Sequence, residues 1–564
     1  MNVKHCLSVV VVTLFVGSAA HADSLAELSD SFWAFRALEQ PLSDDDLPRI
    51  ERPRDFAISW TAASVAKRIA QLEGFEARWS QLAPAPGTPV HEQVNYRLMG
   101  SAIARVRWEL VVQRSWRNDP LFYVYQTIGP LHALLLQPPP FDEARQLALV
   151  ARLREIPATI AAARQNLDDI RRPFAQLAID DLDGIAARID RMETALAPQL
   201  RADNLRALRA AKPAAVKALT DYRSWLETRL PDAKPDTAIG RDNYLYFLRN
   251  VALLPYTPEE LLAMSRQEWA RSVAFEAYQQ ERNAGTADAP LFANVDAQIE
   301  AERVQEEKIR RYLVEHRILS VPAWMQHYRN RLLPDYLEPL QGYGETDDLT
   351  GPSRLDSNGT SYIRRPSPDL GFFYLSTARD PRPIIVHEGV PGHYFQLALG
   401  WHQPDLIRRH YYDSAANEGI GFYAEEMMLQ SGLFDDNAQT RQTIYSFMRL
   451  RALRVEVDVK LALGEFSIQQ AADYLERTVP VDKATAIQEA ARFASLPGQA
   501  ISYQIGKLQI TQLLSDTRRA QGKDFSLQRF HDFVWTNGNV PLSLQRWELL
   551  GDATDVPAPV AAPH

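Results

Sequence analysis

His387-Glu388-Gly389-Val390-Pro391-Gly392-His393, followed by Asn417-Glu418-Gly419, puts two imidazoles and two carboxylates within 32 residues. These are the side chains of a hydrolytic zinc site. Catalytic zinc takes three protein ligands and keeps a fourth position open. A glutamate beside the first histidine can serve as general base. His387, His393 and Glu418 are therefore the candidate metal ligands, for one zinc ion, and Glu388 the candidate base. The spacing is unusual. On a helix turning ~100° per residue, histidines at i and i+4 lie about 40° apart, whereas i and i+6 lie about 120° apart. Pro391 cannot sit inside a regular helix, because it lacks an N–H and clashes with the preceding turn. Pro391-Gly392 is thus read as a kink or bulge that absorbs two residues and swings His393 back toward His387.

Glu418 opens an otherwise apolar helix, where a carboxylate is costly unless paired or bound to a cation. Taken alone it reads as a solvent-facing residue; coupled to the histidine pair it reads better as the third ligand. Glu425, seven residues on, returns to the same face and is a candidate partner for a ligating histidine. Tyr503 lies amid apolar residues in Pro497-Gly498-Gln499-Ala500-Ile501-Ser502-Tyr503. On local sequence it is a core tyrosine, and near a polarised carbonyl it would donate to a developing oxyanion. Arg454 and Asp458, four apart on a helix, are expected to form an ion pair, with carboxylate binding by Arg454 as the functional alternative.

The elements that must position these residues are mostly helical. From Leu25 to about Leu230 the apolar spacing of three and four residues persists, and 230–240 reads as a linker or turn. Thr257-Pro258-Glu259-Glu260 is a helix start, with Thr as N-cap and Pro in the first turn. Turn formers and β-like runs such as Gly371–Thr377 fill the segment before the metal helix, predicting a small β element at about 343–380. Helices resume at Ile384. The expected organisation is a leader at 1–22, an N-terminal helical region at 23–235, a catalytic helical region at 236–550 and a disordered tail at 551–564.

Composition narrows the classes. The 564 residues are 46% hydrophobic and 24% charged, with a formal charge of −9 and no basic stripe, which excludes a nucleic-acid binder. Leu7–Val16 is apolar and Ala20-His21-Ala22 has the form of a leader-cleavage site, so cleavage is expected after Ala22, with export to the periplasm or medium. No later stretch approaches 18 uncharged apolar residues, so no membrane span is expected. The single cysteine, Cys6, lies within the leader. Any metal in the mature chain must rest on His, Asp and Glu.

Three motifs in order carry a resemblance: His387-Glu388-x-x-Pro391-Gly392-His393 with Gln396; Glu418-Gly419 with Tyr423-Ala424-Glu425; and Pro497-Gly498-Gln499-Ala500 with Ser502-Tyr503 and Ile505-Gly506. The chain resembles the bacterial DUF885 family, grouped with zinc metallopeptidases of the gluzincin type. The resemblance implies a mainly α, metallopeptidase-like fold with a channel between helical halves. It implies zinc on His387, His393 and Glu418, Glu388 as base toward zinc-held water, and Tyr503 as oxyanion donor. Tyr423, Glu425, Arg454 and Asp458 complete the expected supporting or substrate-binding set. Where the family often has a second histidine this chain has Tyr394, and where it often has Trp-Ala this chain has Ile420-Gly421. The expected activity is hydrolysis of short peptides; the alternatives are an inactive helical binding protein and a zinc hydrolase of non-peptide amides.

Overall fold

The structure is a computed structural model describing residues 24–42, 50–54, 56–344, 346–479 and 481–562. The expected leader lies outside the described residues. Helix makes up 68% of the described residues and strand 3%, which makes the fold mainly α with a small three-stranded sheet. No described helix is long and apolar enough to cross a membrane.

Local chemistry sets the helix boundaries. Thr257 Oγ1 accepts from the Glu260 N–H and the Glu260 carboxylate accepts from the Thr257 N–H, closing a capping box that opens the helix Pro258–Arg282. The helix Val295–Glu315 follows, capped by Asn294. In the N-terminal half, the long helices Glu143–Asn166 and Ala202–Arg229 pack on Pro120–Leu136 around one apolar core. A second core, from Ile309 to Leu542, surrounds the segment 385–401.

The sheet comprises β1 (Tyr328–Leu332), β2 (Asp347–Asp348) and β3 (Gly359–Ile363), in the order β1-β3-β2. β1 runs parallel to β3 and β2 antiparallel to it. The sheet begins earlier in the chain than the sequence predicts, and the run Gly371–Thr377 is not part of it. Phe372–Thr377 is a short helix instead. Ser376 and Thr377 donate their hydroxyls to the carbonyls of Phe372 and Phe373 four residues back, and both phenylalanines pack on Phe447. Packing decides the state of so short an aromatic run.

The tail, expected to be disordered, makes contacts with the helical body as far as Val560. Val560 exchanges two hydrogen bonds with the Asn250 side chain, and Val556 packs on the core of the first helices. Asp552 starts the segment by pairing with Arg546.

One helix contact governs the second core. The helix Ser414–Ser431 crosses the helix Ser502–Gln521 at Gly419 and Gly506. A Cβ on Gly419 would stand 2.6 Å from Gly506 Cα, and a Cβ on Gly506 would collide with the Ala415 carbonyl oxygen. Backbone touches backbone here, which sets the separation of the two helices. Gly506→Val is expected to destabilise the protein by about 3 kcal/mol, as overpacking of a tight contact does. Denaturant unfolding measures it.

Candidate metal centre and its cavity

The kink expected at Pro391-Gly392 is present, and its form explains the odd spacing. Ile385–Gly389 is a single wide turn of π-helix carrying His387 and Glu388. Such turns are rare and accommodate an extra residue. Val390 is extended, and its N–H still reaches the Ile385 carbonyl. Trp535 Nε1 donates to the Pro391 carbonyl, 2.6 Å away, and secures the bulge. Gly392 lies against the His387 carbonyl so closely that any Cβ would overlap it. A new helix, His393–Trp401, then starts at His393 itself. The two imidazoles end with ring centroids 4.8 Å apart and planes at 84°. The i+7 residue, Tyr394, points elsewhere: its buried ring lies against Gly359 of β3 and 6.0 Å from the Tyr328 ring.

Glu418 comes from the helix Ser414–Ser431, whose first turn Asp413 caps. Gln396, of the first motif, accepts from Asn417 beside Glu418, tying the two motif helices together. Glu418 Oε2 stands 3.2 Å from His393 Nε2 and 3.7 Å from His387 Nε2. The Glu388 carboxylate lies 4.0 Å from each of the same two nitrogens. One turn beyond Glu418, Gly421 makes room for the rings: a Cβ there would stand 3.0 Å from His393 Cε1 and 3.1 Å from His387 Cε1. Two turns on, Glu425 Oε1 is 2.7 Å from His387 Nδ1 and 3.1 Å from Arg451 Nη2. Glu425 thus orients the ring and faces Nε2 toward Glu418, the arrangement that fixes the tautomer of a ligating histidine.

The buried charges of the cluster are strongly coupled. Burial works against a charged imidazole, yet Glu418, Glu425 and Glu388 outweigh it and push the His387 pKa up to about 9. Burial likewise opposes ionisation of Glu418, and the facing His393 and His387 overcome it, holding the carboxyl well below its ordinary range. Glu418 Oε2 is buried with no hydrogen-bond donor in line, although both Nε2 atoms are near. The two Nε2 atoms and the Glu418 oxygen converge on a common point, and a metal there would take the place of the proton that the carboxylates favour on His387. The donor set fits a divalent ion such as zinc.

Tyr503 begins the helix Ser502–Gln521 and stacks on His387, centroids 6.3 Å apart and planes at 15°. The Arg454 guanidinium sits 4.9 Å from its ring and Arg451 5.8 Å. The expected Arg454–Asp458 pair does not form. Arg454 makes a two-pronged pair with Glu489. Asp458 accepts from the Gly498 and Ala500 N–H groups and from the Tyr244 hydroxyl. Asp458 therefore pins the loop that leads into Tyr503; Gly498, at φ 91°, adopts a left-handed conformation that suits glycine. Tyr423 also lies away from the cluster, with its hydroxyl 2.9 Å from His531 Nε2.

The cluster opens on a cavity of about 290 Å³ lined by His387, Glu388, His393, Glu418 and Tyr503. Its walls include two residues that the sequence did not single out. Asp347 of β2 accepts from the Tyr328 hydroxyl at 2.5 Å. Burial, then the charge of Glu388, pushes its pKa up to about 6. Arg451 lies three residues before Arg454 on the helix Ala438–Leu463. Only that spacing pointed toward it.

The chain is thus a mainly helical protein enclosing a cluster of two histidines and two glutamates that could hold a metal ion. The family described as "Bacterial protein of unknown function (DUF885)" matches residues 54–549, and the chain belongs to it. Two solved structures share the fold. One, described as "a putative lipoprotein of unknown function" from Shewanella oneidensis, has a TM-score of 0.69 at 19% identity, covering 94% of this chain and 100% of that one. The other, described as "the putative lipoprotein" from Colwellia psychrerythraea, has a TM-score of 0.71 at 16% identity, covering 93% and 98%. No curated protein matches the chain.

Glu425→Gln is expected to weaken zinc binding about 10- to 100-fold, the usual cost of losing a ligand's orienting partner. Competition titration with a chromophoric chelator reads it directly.

Proposed function

We propose that this protein is an exported, zinc-dependent peptidase acting on short peptides. One observation carries the reading: donor atoms of His387, His393 and Glu418 converge while the Glu388 carboxylate stands 4.0 Å from both Nε2 atoms. A zinc ion held by His387, His393 and Glu418 would supply Lewis acidity toward a carbonyl and acidify a water. Glu388 is the residue free to move protons. It is part exposed to the cavity and points into it beside the ligand pair. In this role it takes a proton from the attacking water and passes it to the leaving amine. Glu425, backed by Arg451, keeps the His387 ring in place. Tyr503, fixed between His387 and Arg454, donates its hydroxyl to the oxyanion.

Export is supported by the leader-like Leu7–Val16 and Ala20-His21-Ala22 and by the two fold relatives described as lipoproteins. Cleavage after Ala22 would remove Cys6 and leave no thiol in the mature chain.

Glu388→Gln is expected to keep one zinc per chain and lose about 10²- to 10⁴-fold in turnover, the share general acid–base catalysis supplies. Peptide-library hydrolysis with metal analysis of the same preparations checks it. Near-normal turnover in that variant would remove Glu388 as the base. A native protein that holds no zinc would leave a helical binding protein.

A further inference from the structure

The cavity beside the cluster has two unlike walls. Asn330, Ser361 and Asp347 all line it. They come from three different strands, and the register puts them in one row: Asn330 pairs with Ser361, and Ser361 with Asp347. Three polar residues in one row across a sheet need partners wherever they are removed from water. Here the row faces the cavity, and it is rich in acceptors: a carboxylate, an amide oxygen and a hydroxyl. Asp347 and Glu388 are close enough for their charges to repel. That wall suits an ammonium group.

The other wall carries guanidinium groups. Arg451, Arg454 and Arg492 all line the same cavity. Arg454 commits Nε and Nη2 to Glu489, which leaves Nη1. Arg451 is 5% exposed, and its Nε and Nη1 have no hydrogen-bond partner. Arg492 lies near enough to Arg454 for the two charges to oppose each other. Guanidinium groups so placed suit a carboxylate, which they bind in a fork. The volume of about 290 Å³ is at the small end of ligand pockets, which run from ~300 to 1,000 Å³.

We infer that the site takes peptides of two or three residues with both ends free, the amino terminus read by the Asn330–Ser361–Asp347 row and the carboxylate by Arg454 and Arg492. This rests on the peptidase reading and narrows it to the zwitterion of a very short peptide. A longer chain would leave at least one of the two walls without its charged partner.

The test uses the zinc-loaded full chain and four forms of one dipeptide and one tripeptide: free, N-acetylated, C-amidated and doubly blocked. Hydrolysis is followed by mass spectrometry, and binding to the Glu388→Gln protein by calorimetry. Blocking either end is expected to lower kcat/KM and weaken binding at least tenfold. Asp347→Asn should erase the difference between free and acetylated peptides, and Arg492→Gln the difference between free and amidated ones. Equal handling of free and blocked peptides by the unaltered walls would overturn the inference and leave the peptidase reading standing. Discrimination in binding, with no cleavage of any peptide by the native protein, would uphold the inference and remove the peptidase reading.

Discussion

Buried charge is the constraint on which the rest of this structure depends. Glu418 and Glu425 are buried beside two buried imidazoles, and the part-exposed Glu388 closes the cluster on its cavity side. Buried carboxylates are tolerated only when paired or bound to a cation. Arg451 balances Glu425. His387 takes on positive character under pressure from three glutamates. A divalent ion on the converging Nε2 and Oε2 atoms would balance the remainder, and that balance is the physical basis for the proposed metal centre.

Bringing these groups together falls to the backbone. The wide turn Ile385–Gly389, the extended Val390 and the close approach of Gly392 to the His387 carbonyl convert an i+6 spacing into facing rings. Trp535 holds the bulge from outside. The crossing at Gly419 and Gly506 then fixes how near the Glu418 helix lies to the Tyr503 helix, and Gly421 leaves the space the imidazoles occupy. Several motif residues therefore carry no chemistry. Their value is that they have no side chain.

Much of the site was legible in the sequence because its residues are chemically distinctive. Two histidines, a neighbouring glutamate and a second glutamate in an apolar helix point to a metal, and a proline between the histidines points to the kink that unites them. The helices were legible from apolar spacing and from caps such as Thr257 with Glu260. What escaped was set by competition between partners. Helix spacing made Arg454 and Asp458 neighbours, but it could not show that Glu489 and the 498–500 backbone would engage them instead. The aromatic run Phe372–Thr377 satisfies both strand and helix patterns, and contact with Phe447 decides it. The row Asn330–Ser361–Asp347 exists only once three separate segments pair in register, so no single stretch of sequence could reveal it.

A crystal of the full chain grown with zinc, with diffraction recorded on both sides of the zinc absorption edge, is the most direct measurement. One anomalous peak about 2.0–2.2 Å from His387 Nε2, His393 Nε2 and a Glu418 oxygen is the predicted result, those being ordinary zinc–ligand distances. A peak bound by other side chains, or none at saturating zinc, would mean that the cluster is an ion-pair network and that the bulge at Pro391-Gly392 serves packing alone.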